Sequence, residues 1–291
     1  MKDEIFDTYR DAGEIAAKIL RHGAREIRIG GSYLDLVESI EAQVKEEGAE
    51  LAFPLNLSLN EDAAHDTASA GDKRVFARGD VAKLDLGVQI DGYIADTATT
   101  IDLGNNSLLL EASEQALCSA IKAVRPGANA GDLGAAIQLE IECRGYRPIS
   151  NLTGHGLDQY ILHRSPTIPN VGISGGVILE EGMVFAIEPF ATTGSGHVGE
   201  KNRKEIYSQV SQKPVRIPAA RAILHKVTDR HGLPFARRWL DEKKLDITLS
   251  SLVRSQVLHV YPVLSDIPGS LVSQHEHTVI VTSEGCIVTT R

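Results

Sequence analysis

Residues 83–96 read KLDLGVQIDGYIAD, with the Asp91-Gly92 pair between two runs of alternating or β-branched residues. Such a pair signals a two-residue β-hairpin turn, because glycine accepts the positive φ that the turn requires. Counting outward from it, Ile90 faces Tyr93 and Asp85 faces Ala98, so Asp96 lies one diagonal step from Asp85. Residues two apart on a strand share a face, and both carboxylates therefore point the same way. Two acids on one face repel unless a cation lies between them. The alternative is a solvated strand face, which the scarcity of aspartate in strands disfavours without removing.

Other acids favour the cation. Glu188 sits in MVFAIEPF (183–190) and Glu276 in QHEHTVIVT (274–282), apolar runs that read as buried strands, where an unpaired carboxylate is costly. His155, in TGHG (153–156), adds an imidazole. Four carboxylates and one imidazole suffice for two divalent metals. Oxygen donors with one nitrogen and no thiolate suit Mn, Fe(II), Co or Zn better than a closed structural zinc site. Two such ions about 3.5–4 Å apart make water a nucleophile near neutral pH and polarise a carbonyl, which is hydrolytic chemistry. His65, in NEDAAHDT (60–67), is a further imidazole available to substrate.

Five stretches in this order resemble the type II methionine aminopeptidases of the pita-bread metallopeptidase superfamily. They are PLNLSLNEDAAHDT (54–67), the two-aspartate hairpin, NLTGHGLDQYILH (151–163), FAIEPF (185–190) and YPVLSDIPGSLVSQHEHTVIVT (261–282). Each is weak alone; together they are specific and cover essentially the whole chain. The resemblance implies an α+β pita-bread fold, two pseudo-twofold halves around a curved antiparallel sheet, with a helical winged-helix-like insertion. It implies that Asp85 and Asp96 bind one metal, that Asp96, His155 and Glu188 bind the other, and that Glu276 bridges both. His65 and His163 would contact substrate around the scissile amide, with Glu188 as proton shuttle, and Phe53, Leu162, Phe190 and Tyr261 would line a methionine pocket. The activity implied is removal of N-terminal methionine from nascent chains and peptides whose second residue is small. Outside this context a lone histidine such as His163, beside Ile161 and Leu162, reads as an ordinary core or surface residue.

Two departures stand out: His275 replaces a usual apolar aromatic, and Asp66 replaces the aromatic that usually follows the histidine. His275 and His277 alternate with Glu276 and should face away from it. The chain looks most like the compact archaeal form. Prolidases share the five-ligand set but usually carry a separate N-terminal domain, for which no room precedes the motifs. A non-catalytic binding protein on the same fold is disfavoured by five intact ligand positions. Both remain alternatives.

The chain has 291 residues, 42% of them hydrophobic, enough for a sizeable core. No apolar run approaches the roughly 18 residues of a membrane span. The N-terminus, MKDEIFDTYRDAGEIAAKIL, reads as an amphipathic helix with early acids rather than a signal peptide. Cys118, Cys143 and Cys286 lack paired spacing and suit reduced core thiols, hence a cytoplasmic location.

An internal repeat runs at an offset of 97: Leu36, Ile40, Val44 and Gly48 match Leu133, Ile137, Ile141 and Gly145, with Ser32 and Asn129 as helix caps. Chance similarity of helices is the alternative. From Lys201 to Gln256 there are 13 Lys and Arg against five Asp and Glu, in a chain whose net charge is -9. The expected division is a catalytic domain of 1–195 and 257–291 with a basic helical insertion at 196–256. Within it PAARAILHKVTDRHG and PFARRWLDEKK look helical, with Pro218 and Pro234 at helix starts. Its charge suggests either a solvated surface forming one wall of the pocket or a weak contact with ribosomal RNA. The protein is expected to act as a monomer.

Overall fold

The computed structural model describes residues 1–291. Helices α1 (Asp3–Glu26) and α2 (Tyr33–Glu46) lead into the short strands β1 (Glu50–Leu51), β2 (Asn56–Leu59) and β3 (Asp62–Ala64). The long hairpin β4 (Val81–Ile90) and β5 (Tyr93–Asp102) follows. The pattern then recurs: α3 (Ser107–Ala123) and α4 (Ala130–Glu142), β6 (Arg147–Pro148), and a hairpin of β7 (Thr153–Asp158) and β8 (Ile161–Pro169). After these come β9 (Val184–Ile187), β10 (Phe190–Thr192), β11 (Gly199–Gln209), α5 (Pro218–Lys226), β12 (Phe235–Ala236) and α6 (Leu245–Arg254). Strands β13 (Leu258–Ser265), β14 (Val272–Gln274), β15 (Glu276–Val281) and β16 (Cys286–Val288) complete the chain.

The caps fall where the repeat places them. Ser32 Oγ accepts from Asp35 N at 3.2 Å and Asn129 Oδ1 from Gly131 N at 2.8 Å, satisfying helix-end donors. Gly48 and Gly145 take positive φ after α2 and α4, where a side chain would be strained. Leu36, Ile40 and Val44 pack with Leu84, Leu86 and Val88 of β4; Leu133, Ile137 and Ile141 pack with Phe185, Ile187 and Val279. Each helix pair thus covers its own half of the sheet, every buried Leu or Ile contributing about 1.5–3 kcal/mol.

The main sheet runs β1-β4-β5-β15-β9-β7-β8, and all its pairings are antiparallel. The first hairpin keeps the register counted from Asp91-Gly92, Ile90 against Tyr93 and Asp85 against Ala98. A second sheet, β12-β11-β13-β3, carries the segment between β11 and β13. That segment has a core of its own, including Ile223, Val227, Phe235, Leu249 and Leu252.

Two local expectations fail. Pro218 does open α5, but PFARRWLDEKK is not a helix: Phe235 and Ala236 pair with Tyr207 and Ile206 of β11, and a single 3-10 turn follows at Arg237–Trp239. Cys143 is not a core thiol; it is exposed at the end of α4, its Sγ 3.2 Å from the Glu140 carbonyl. No helix is long and apolar enough to cross a membrane.

Candidate active site

The five candidate ligands come from neighbouring strands: Asp85 from β4, Asp96 from β5, Glu276 from β15, Glu188 from the residue after β9, and His155 from β7. Asp85 and Glu276 both pair with Ala98, from its two sides. The last β15–β9 pair is His277 with Ile187, so the next step along both strands reaches Glu276 and Glu188.

Side-chain geometry follows. Donor atoms of Asp96, His155 and Glu276 all lie within 4.8 Å of one another. His155 Nε2 is 3.8 Å from Asp96 Oδ2 and 3.6 Å from Glu188 Oε1. These separations are too long for hydrogen bonds. They suit donors sharing an ion, since ligand bonds of about 2.0–2.2 Å allow donors to stand up to about 4.4 Å apart. Asp85 Oδ1, Asp96 Oδ1 and Glu276 Oε1 are buried without a hydrogen-bond partner. Unpaired buried carboxylate oxygens are rare and costly, and a divalent cation satisfies all three. The donor set therefore fits a metal.

The electrostatics agree. Burial, opposed by hydrogen bonding to Gln274 and Asp96, pushes Asp85 up to about 7. Burial first, and repulsion among the carboxylates second, holds Asp96, Glu188 and Glu276 well above the usual carboxylate range. Burial, helped by His163, pushes His155 down to about 3, which keeps it a neutral imidazole, the form that binds metal.

All eleven candidate residues line one cavity of about 450 Å³. His163, on β8, stands at its open side with its ring 4.3 Å from that of His155, and desolvation followed by His259 holds its pKa below the ordinary value. His65 lines the same cavity, its Nδ1 3.3 Å from the Pro262 carbonyl and its ring edge-on to Tyr261 at 5.4 Å. Phe53, Leu162, Phe190 and Tyr261 supply apolar walls. Ile206 and Pro234 add another, from β11 and the segment it opens.

His275 and His277 lie outside this cavity, bonded through Nδ1 to Ser113 and Thr290 at 2.8 Å each. Sequence reasoning missed the polar supports. Thr278 Oγ1 accepts from Asp96 N at 2.8 Å and donates to Asp96 O at 2.9 Å, while Gln274 Nε2 donates to Glu276 Oε2 at 3.2 Å. Both residues sit two positions from Glu276, a spacing that marks a shared strand face. Asn56, opposite Asp85 and lining the cavity, was also missed.

Comparison with known proteins gives this site its context. The sequence matches metallopeptidase family M24 over residues 7–283. It is 48% identical over 292 residues to a methionine aminopeptidase of Archaeoglobus fulgidus, covering 100% of both chains. It is 47% identical to one from Pyrococcus horikoshii, covering 98% of this chain and 99% of that one. The fold matches the crystal structure of the methionine aminopeptidase from Thermotoga maritima with a TM-score of 0.75, at 24% identity, over 100% of this chain and 98% of the other. The α+β pita-bread architecture, a buried donor cluster that could hold a metal and the full-length kinship agree: the chain belongs to metallopeptidase family M24, among the methionine aminopeptidases, metal-dependent hydrolases that remove N-terminal methionine.

Proposed function

We propose that the enzyme works with two divalent ions and cleaves the first peptide bond of chains whose second residue is small. Asp85 and Asp96 would hold one ion, and Asp96, His155 and Glu188 the other, with Glu276 shared. The observation that carries this reading is the set of buried oxygens on Asp85, Asp96 and Glu276 that have no hydrogen-bond partner and that divalent cations would satisfy. Bound there, the ions supply Lewis acidity and an activated water; Mn, Fe(II), Co and Zn all suit the donors.

The remaining work falls to side chains. Phe53, Leu162, Phe190 and Tyr261 take up the thioether, a flexible and polarizable group suited to an apolar wall. Glu188, raised by burial, accepts a proton from the attacking water and passes it to the leaving amine. His163, kept neutral, donates a hydrogen bond to the developing oxyanion. His65 contacts the substrate around the scissile amide. The polypeptide is expected to act as a cytoplasmic monomer on nascent N-termini.

We also propose that residues 196–256 form a subdomain with two roles, one structural. Lys201, Arg203, Lys226, Arg237 and Arg238 are committed to ion pairs within the chain. The exposed cations Lys213, Arg216, Arg221, Lys243, Lys244 and Arg254 have no such partner and support a weak contact with ribosomal RNA. Co-sedimentation with ribosomes should weaken as salt rises, and binding indifferent to salt would count against this role.

The deciding experiment is release of the N-terminal amino acid from Met-Ala-Ser, Met-Leu-Ser and Gly-Pro by metal-stripped protein, with each metal added back. Metal-dependent cleavage of Met-Ala-Ser alone supports the reading. Cleavage of Gly-Pro instead would indicate a prolidase, and silence a binding protein.

A further inference from the structure

His65 is held in a backbone conformation that residues other than glycine seldom adopt, with φ of 64°. Such a residue persists where its neighbours over-determine it. On one side Ala64 pairs with Leu264 of β13. On the other stands Asp66, whose carbonyl accepts from Leu57 N at 2.8 Å and whose carboxylate is wholly buried. That carboxylate takes two arginines: Arg74 on Oδ2, and Arg203 of β11 on Oδ1, Nε to oxygen 2.8 Å. Arg203 goes further, donating from Nη2 to the Thr67 carbonyl at 2.9 Å and to Asp72 Oδ2 at 3.2 Å. Beside it, Glu205 Oε1 accepts from Ser69 Oγ at 2.7 Å, and Arg238 Nη1 donates to Thr67 Oγ1 at 3.0 Å and to the Ala68 carbonyl at 3.1 Å.

Arg74 is the local partner of this cluster, pairing with both Asp66 and Asp72 and lying 3.8 Å over the Tyr33 ring. Arg203 balances the second of these two carboxylates and, unlike Arg74, connects them to β11. Its planar fork spans two carboxylates and a carbonyl, a geometry a lysine cannot reproduce. Through Arg203 and Glu205, β11 is thereby fastened to Asp66, Thr67 and Ser69, close behind His65.

We propose that Arg203 is a positioning residue for His65: through Asp66 and Thr67 it sets the place of the imidazole in the cavity. The proposal rests on the reading of His65 as a substrate-contacting group. When Arg203 is removed, Arg74 still meets Asp66 and Asp72 while Glu205 and Arg238 still hold Ser69, Thr67 and Ala68, so the loop stays folded and only the link from β11 to Asp66 and the Thr67 carbonyl is lost.

The test is a double-mutant cycle on the metal-loaded enzyme. Arg203→Ala and Arg203→Lys are each made alone and with His65→Ala, and kcat, KM for Met-Ala-Ser, bound metal and melting temperature are measured. Arg203→Ala should lower kcat on the order of 10- to 100-fold, the scale of a misplaced reacting group, with metal content unchanged. Arg203→Lys should recover part of the loss, and neither change should lower kcat further once His65 is gone. An equal loss with and without His65, or no loss in the parent enzyme, would overturn the proposal. If Arg203→Ala fails to fold, Arg203→Lys is read by the same criterion. Full activity in His65→Ala alone would remove the reading of His65, and the proposal with it.

Discussion

Asp85 and Glu276 stand on the two sides of a single residue, Ala98 in the middle strand of three. Ala98 has no polar group to offer, and Asp96, two residues along the same strand, carries a third carboxylate to the same place. An antiparallel sheet spaces neighbouring strands about 4.7–4.9 Å apart. Acids placed in successive strands are thus brought to the separation at which they share cations, and the sheet itself is the template for the site.

Removing a ligand should therefore differ from removing a substrate contact. Asp96→Ala and Glu276→Ala each delete a buried carboxylate that nothing nearby replaces, and both are expected to lose bound metal and activity together. His163→Ala is expected to keep its metal and lose on the order of 100-fold or more in kcat, as when an oxyanion donor is removed. Elemental analysis of the purified variants beside their turnover separates the two classes; loss of metal from His163→Ala would contradict its role.

Metal affinity should rise with pH between about 6 and 8. Burial lifts Asp85 to about 7 and holds Asp96, Glu188 and Glu276 well above the ordinary range, so near neutrality the metal-free protein retains protons on this cluster. A metal needs those oxygens bare, so binding expels protons, and raising the pH removes the competitor. The sign is fixed by the raised folded values. Native protein holds more protons than the unfolded chain, so these groups cost the metal-free protein stability as pH climbs through that window, and metal restores it. His155, already neutral above about 3, takes no part. Calorimetry in buffers of different ionisation enthalpy should detect net proton release at pH 7; metal affinity that is flat from pH 6 to 8 would refute the argument.

How much of this was legible in the sequence depended on distance along the chain. The register of the first hairpin follows by counting from Asp91-Gly92, and the caps at Ser32 and Asn129 need only their next three residues. The five candidate ligands are legible through motifs, but the sheet order that unites them is tertiary. The destination of the basic segment was out of reach, because Arg203 meets Asp66 across 137 residues and Arg238 meets Glu41 across 197. The same contacts explain the failed helix at PFARRWLDEKK. Arg238 and Trp239 are drawn onto Glu41, while Phe235 and Ala236 are claimed by β11, so pairing overrides local propensity.

Gly13→Ala should destabilise the fold without touching the chemistry. A Cβ at this position in α1 would run into the backbone carbonyl of Thr289, which cannot swing aside as a side chain can. Overpacking of this kind costs about 1–3 kcal/mol. Chemical denaturation of the metal-loaded variant should show that loss, while kcat and KM for Met-Ala-Ser at 25 °C stay at parent values. Parent-like stability would mean that α1 shifts freely on the C-terminal segment.

Gly87→Ala should do the reverse and strike substrate binding. Gly87 pairs with Asp96 across the hairpin and shares its face, where a Cβ would meet the ring of Phe53. Phe53 is buried and lines the cavity, so its ring cannot yield into solvent; it must move toward the space assigned to the methionine side chain. One or two lost methylene contacts weaken binding by about 0.8 kcal/mol each, so KM is expected to rise roughly 4- to 15-fold while bound metal is retained. If KM stays constant and metal is lost instead, the displacement runs toward Asp96, and Phe53 is not a wall of the methionine pocket.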